Sequence, residues 1–343
     1  MTAPPRHAVA EPETRNGSLF RTEIARLRAR RFIQLLVGLA LIGFVVLSIV
    51  AFTQFSEPTP DVLADAQARL EQDIALSEQF REQCLADESI PEEEREFACG
   101  PPLDEQGFVV ENYIDKRPFT LTDDLPAGSL GVAAATAMLG FVIGATYVGA
   151  EWSTRSIVAL LFWETRRLKV IGVKTGVAVL AGAALGVVGQ LLWLGASHVL
   201  VRTRGSTTAV PDGFWSDFSG QAGRGVLLAV VGTLFGFGLA NLVRNTGAAL
   251  GVGFAYFAIV ESALRGFVPK SQPFLVSESA GALVEDGGLS LFVEGPTVDQ
   301  GTGSFTEFTE MIVSNVRGGL TLAAYLLVLL AAGTWLFRRR DLH

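Results

Sequence analysis

Histidine is scarce in this chain. His7, His198 and His343 are the only three in 343 residues, too few and too far apart for a zinc site of the usual spacing. Cysteine is scarcer still: Cys84 and Cys99 stand alone, and they form no CxxC pair. Neither GxSxG nor HExxH occurs, which removes the nucleophile-elbow and zincin signatures. Gly172-Val173-Lys174-Thr175 has the look of a phosphate loop, but the GxxxxGK[ST] spacing is missing. The chain thus offers no catalytic constellation, no metal ligand set and no Walker motif, and is not expected to be an enzyme. Long basic tracts are also missing, so nucleic acid is not an expected partner. Charge is thin throughout, at 18% of residues.

Apolar sequence takes its place. Mean hydropathy is +0.38, and uncharged runs of 18 or more residues recur, each long enough to cross a bilayer. Six spans are predicted, at 32–53, 129–150, 175–201, 225–243, 246–264 and 318–337, giving an all-α polytopic membrane protein. The net charge of −8 divides unevenly. Residues 54–128 carry 5 basic and 19 acidic side chains, a net −14, so the remainder is +6. The segments 1–31, 151–174, Arg244 and 338–343 are each net positive, which places them, and both termini, in the cytoplasm of a cell whose plasma membrane holds the chain.

Residues 1–18 are polar and expected to be disordered. In 19–31, Phe20, Ile24 and Leu27 recur at helical spacing among five arginines. That pattern suits a basic amphipathic helix on an anionic membrane face, and equally a positive flank orienting the first span. The acidic 54–128 segment is expected outside, as a helical insert between spans 1 and 2. Thr59 caps and Pro60 opens a long helix there, and Pro91 a short one ending near Cys99-Gly100-Pro101-Pro102. A Cys84–Cys99 disulfide is chemically permitted in that compartment and would staple the two helices, with two unpaired thiols as the alternative. The acidic surface serves solubility, or else binds a cation or a protein. Residues 265–317 form a second outer loop, Gly- and Ser-rich, where short helices would fit. Glu261 sits four residues before Arg265, a spacing for an intrahelical ion pair, with a buried substrate contact as the other reading. Four glycine pairs (140/144, 182/186, 232/236 and 247/251) would permit close helix approach.

Between spans 2 and 3 lies 151–174, where Glu151 runs through Ser156, Leu160-Leu161 and Arg166-Arg167 to Lys174. With six spans and the basic amino-terminal helix, this pattern resembles the permease subunits of type-2 ATP-binding-cassette exporters. Leu242-Val243-Arg244-Asn245-Thr246 is similar to the turn between spans 4 and 5 of actinobacterial members. Two departures stand out: Arg155-Ser156 where Gly-Thr is usual, and Thr165 where proline is common. The resemblance implies a type-2 bundle and a coupling helix near 153–163 docked on a separate ATPase, which would hold the ATP and magnesium. Glu151, Trp152, Arg155, Trp163, Arg166 and Arg167 would be the coupling residues, and a second permease copy, identical or related, would complete the transporter. The cargo implied is an apolar or amphipathic small molecule such as a drug, antibiotic or lipid. An extracytoplasmic sensor or scaffold, with 54–128 as its working domain, is the competing class.

Overall fold

The structure, a computed structural model, describes residues 16–100, 107–206, 209–299 and 304–339. The expectations for 1–15, Pro101-Pro102 and the carboxyl-terminal Arg340 fall outside the described residues. The described residues are mostly helical, and among them six helical segments are long and apolar enough to cross a membrane: α2 (Arg31–Gln54), α5 (Leu121–Ser153), α7 (Arg167–Arg204), α8 (Phe214–Val243), Thr246–Phe267, and α12 (Asn315–Arg339). These suggest a multi-pass membrane protein. The spans outrun their sequence limits because polar residues at their ends remain helical. α5 begins eight residues early, with Pro126 near its start, and continues through Glu151. α7 begins at Arg167 and takes in Lys174.

The chain divides into two compact units. The first comprises Met1–Gly43, Pro126–Leu194 and Asp212–His343. Its centre is α8: half of its apolar window is buried, against 28% or less in every other span. Glycines let the neighbours close on it. A Cβ added at Gly140 or Gly144 of α5 would collide with Thr233 of α8, and one at Gly232 or Gly236 of α8 would strike the backbone of Ala137 or Phe141. On the other side, a Cβ at Gly182 or Gly186 of α7 would come within 2.7 Å of Val230 Cα or 2.8 Å of Val226 Cα. Three of the four pairs are therefore seams within one chain. The fourth is not, since Gly247 meets only its own turn and Gly251 nothing. A buried polar pair also ties α5 to α7: Ser129 Oγ donates to Gln190 Oε1 at 2.8 Å, and Gln190 Nε2 to Ser129 O at 3.1 Å.

Helix α1 (Asn16–Ala29) carries the expected apolar stripe, but the stripe faces protein. Phe20, Ile24 and Leu27 pack on the cluster of Tyr147, Val148, Val177 and Phe237. At the far end of the sequence the all-α expectation needs correction. After the span 246–267, built from α9 (Thr246–Ala255), a π-helical turn (Tyr256–Glu261) and α10 (Ser262–Phe267), come a 3-10 turn (Pro269–Phe274) and α11 (Val276–Val284). An antiparallel hairpin then follows, β1 (Leu289–Asp299) with β2 (Ser304–Val313). Gly287 and Gly288, both at positive φ, turn the chain into β1. Leu289, Leu291 and Val293 alternate onto one face with Val313 and pack on Ala282. That period of two is present in the sequence, within the outer loop where only short helices are expected from composition.

The second unit comprises Phe44–Leu125 and Gly195–Pro211. Here α3 (Pro60–Leu85) and α4 (Glu92–Ala98) are joined by a Cys84–Cys99 disulfide, with Cα atoms 5.6 Å apart. Thr59 does occupy the N-cap position of α3, but its side chain makes no cap hydrogen bond. Tyr113 ties back to α3, its hydroxyl donating to Asp73 at 2.9 Å. Near the root, Arg117 pairs with Asp124 at 2.5 Å and covers the ring of Phe55, which meets Phe119 edge-on. Closing a loop of 15 residues stabilises by about 3 kcal/mol in the chain-entropy model. A Cys99→Ser variant is therefore expected to lose amide protection across α3 in hydrogen exchange while the spans keep theirs.

Candidate functional site

The stretch 149–175 is a helix end, a turn, a short helix and a helix start. α5 ends at Ser153, and Thr154-Arg155 turn the chain, with Arg155 in the left-handed region at φ 55°. That conformation is costly for a residue with a Cβ. Next comes α6 (Ser156–Trp163). Ile157, Leu160 and Leu161 are buried with Val170 of α7 and Phe337 of α12, and Leu19 and Trp152 pack on them. The opposite side carries Phe162, 80% exposed.

The turn into α7 is braced by charge. Lys169 Nζ lies 2.7 Å from Glu164 Oε2, and the backbone N–H of Arg166 donates to Glu164 Oε1 at 3.3 Å. The hydrogen bond from Lys169 holds the Glu164 carboxyl below its ordinary range. Arg167 donates to the carbonyls of Phe337 and Arg338 at 3.2 and 3.1 Å, binding the carbonyl end of α12. Trp152 is held by three groups. Its indole N–H donates to Asn241 Oδ1 at 3.3 Å, Arg244 lies 4.3 Å over its ring, and Phe337 meets it edge-on.

Glu151 is not a loop residue. It is 4% exposed, in a cluster of charges buried between α1, α5 and α7. Lys174, fully buried, sits between two carboxylates: its Nζ is 2.6 Å from Glu23 Oε2 and 2.7 Å from Glu151 Oε2. Arg30 reaches the other Glu151 oxygen at 2.9 Å and also donates to Thr146 O at 2.9 Å. The Tyr147 hydroxyl donates to Glu23 Oε2 at 2.7 Å, and Arg26 pairs with Glu23 Oε1 at 2.9 Å. Burial pushes the Glu23 carboxyl up, but Lys174, with Tyr147 and Arg26, more than offsets it and holds the group below its usual range. Two buried carboxylates are thus met by three cations: Lys174 from within, Arg30 at the edge, and Arg26 reaching in from the surface. Beside them, Arg26, Ala29, Arg30, Glu151 and Ser156 line a shallow depression of about 350 Å³.

Of the six coupling candidates, the structure brings Trp152 and Arg167 onto the end of α12 and places Arg155 and Arg166 on the exposed rim of α6. Glu151 moves to the buried cluster, because α5 stays helical past it. Trp163 ends α6, and its side chain lies outside the described residues. Glu23, Arg30 and Tyr147 were missed. The signal for Glu23 was legible: a lone acid between Phe20, Ile24 and Leu27 falls on the apolar stripe of an otherwise basic helix.

The expected Glu261–Arg265 pair does not form. Glu261 is 3% exposed and accepts from Ser277, while Arg265 pairs with Glu278 at 2.6 Å. The chain segment after α10 folds back, so each side chain finds a partner on α11 closer than its own-helix neighbour. No protein-family model matches this chain, and no curated protein is similar to it in sequence.

Proposed function

We propose that the chain is the transmembrane subunit of an ATP-driven exporter of the type-2 ATP-binding-cassette kind. It would move an apolar or amphipathic small molecule out of the cytoplasm, paired with a second permease copy and energised by a separate ATPase that holds ATP and magnesium. The observation that carries this reading is α6. A short helix between two membrane-length helices buries one face on α7 and α12 and leaves Phe162 exposed, with exposed Arg155 at its start and Arg166 just past its end. An exposed aromatic flanked by arginines suits a protein-docking surface better than a solvated turn.

In this reading, nucleotide binding closes the ATPase dimer and displaces α6. Ile157, Leu160 and Leu161 pass that displacement to Val170 and Phe337, and so to α7 and α12, because packed side chains transmit strain where a loop would absorb it. The 151–174 segment lies on the cytoplasmic side by its positive charge.

The test is co-purification from native membranes with the ATPase, comparing the unaltered chain with Phe162→Glu plus Arg166→Glu. Both side chains point away from the fold, whereas Arg167 does not and is left alone. The double variant is expected to insert and fold normally and to lose the ATPase. If the unaltered chain brings down no ATPase, the exporter reading fails.

A further inference from the structure

Helix α11 is nine residues long, and both of its ends are closed by side chains from the flanking spans. At its start, the backbone N–H of Ser277 donates to Glu261 Oε1 at 3.1 Å and the Ser277 hydroxyl to Glu261 Oε2 at 2.5 Å. A carboxylate in that place answers first-turn amides that have no partner in the helix. At its finish, Asn315 Nδ2 lies 2.9, 3.2 and 2.6 Å from the carbonyl oxygens of Ala282, Leu283 and Glu285. Between these caps, Leu283 and Val284 share a buried cluster with Ala133 of α5, Leu228 of α8 and Leu322 of α12. α11 therefore fills the space among three spans.

Glu261 is exceptional in its own helix. Among residues 254–268 it is the one buried residue, while Phe254, Ile259 and Phe267 are 73%, 64% and 87% exposed. It is brought there by the π-helical turn Tyr256–Glu261, which holds one residue more than an α-turn would. Rewound as α-helix, the turn would carry Glu261 about 100° around the axis and off Ser277. The π-helical winding is thus what aims the carboxylate at α11, and an α-helical winding would not.

We propose that α11 is a movable plug, latched by Glu261 and Asn315, and that the π-helical turn is the release. Shifting the turn to α-helix withdraws the carboxylate, uncaps α11 and frees it from the three spans. The device rests on the fold and not on the exporter reading.

The test uses the full-length protein in native membranes. Ser279 is fully buried and its hydroxyl has no hydrogen-bond partner, so Ser279→Cys is a mild reporter. Cys84 and Cys99 are oxidised and do not compete for a maleimide. Position 279 is expected to label slowly in the parent. It should label about tenfold faster or more in Glu261→Ala, and likewise when Ala258 is deleted to remove the extra residue of the turn, the size of change that follows loss of a charged-group hydrogen bond. Ala178→Cys, in the separate buried cluster of α7, is expected to stay protected in all of them. The proposal is overturned if position 279 labels no faster in either variant, or if position 178 becomes reactive in step with it, since the whole bundle has then loosened.

Discussion

Replacing Lys174 with methionine is expected to destabilise the first unit by about 3–5 kcal/mol, the usual cost of removing one partner from a buried ion pair. The effect is large because one ammonium serves two carboxylates that have almost no access to water. Glu23 and Glu151 are 1% and 4% exposed, and without Lys174 they face each other with only Arg26, Arg30 and Tyr147 in support. Adding Glu23→Gln to Lys174→Met should return part of the loss, since it removes the anion stranded by the first change. Thermal unfolding in detergent measures both. The pH dependence follows from the same contacts. Glu23 is held below its ordinary value of 4.5. A carboxylate with a depressed pKa contributes stability that is fully present above its unfolded value and is lost as pH falls through its folded one. The docking of α1 should therefore be constant from neutral pH down to about 5 and weaken below about 4.5. Hydrogen exchange of α1 at graded pH reads this directly, and weakening between pH 7 and 6 would contradict it.

Gly236→Leu should be comparably damaging for an unrelated reason. A Cβ at Gly236 would stand inside contact distance of the backbone of Phe141, and backbone cannot swing aside as a side-chain tip can. The α5–α8 seam would have to part, costing about 1–3 kcal/mol as overpacking alone and more if the seam opens along its length. Gly251→Leu is the control. It lies on an exposed position with nothing within 4 Å, and leucine is a better helix former than glycine, so stability should hold or rise slightly. Yield of monodisperse protein and its unfolding midpoint distinguish the two. Equal behaviour of both variants would show that α8 is not the hub of the unit.

The sequence alone determined the number and order of the spans. Long uncharged runs can be satisfied in a bilayer by little other than helices, so six such runs are legible without tertiary information. The short helix between spans 2 and 3, present as Ser156–Trp163, is expected near 153–163 only from the resemblance, and the Cys84–Cys99 pair is one of two options that the structure resolves as a disulfide. Which residues meet across the chain was decided only in three dimensions. Glu151 and Lys174 are 23 positions apart and read as opposite charges on a polar loop, but helix continuation at both ends of that loop rolls them inward, where α1 supplies Glu23 and the residue just past its end supplies Arg30. Glu261 and Arg265 have the spacing of a pair, yet α11 offers each a closer partner. Periodicity reports the face a residue occupies, not what that face is turned toward. For buried charge the distinction decides everything, because a carboxylate out of water is tolerable only against a partner that the fold must bring from elsewhere.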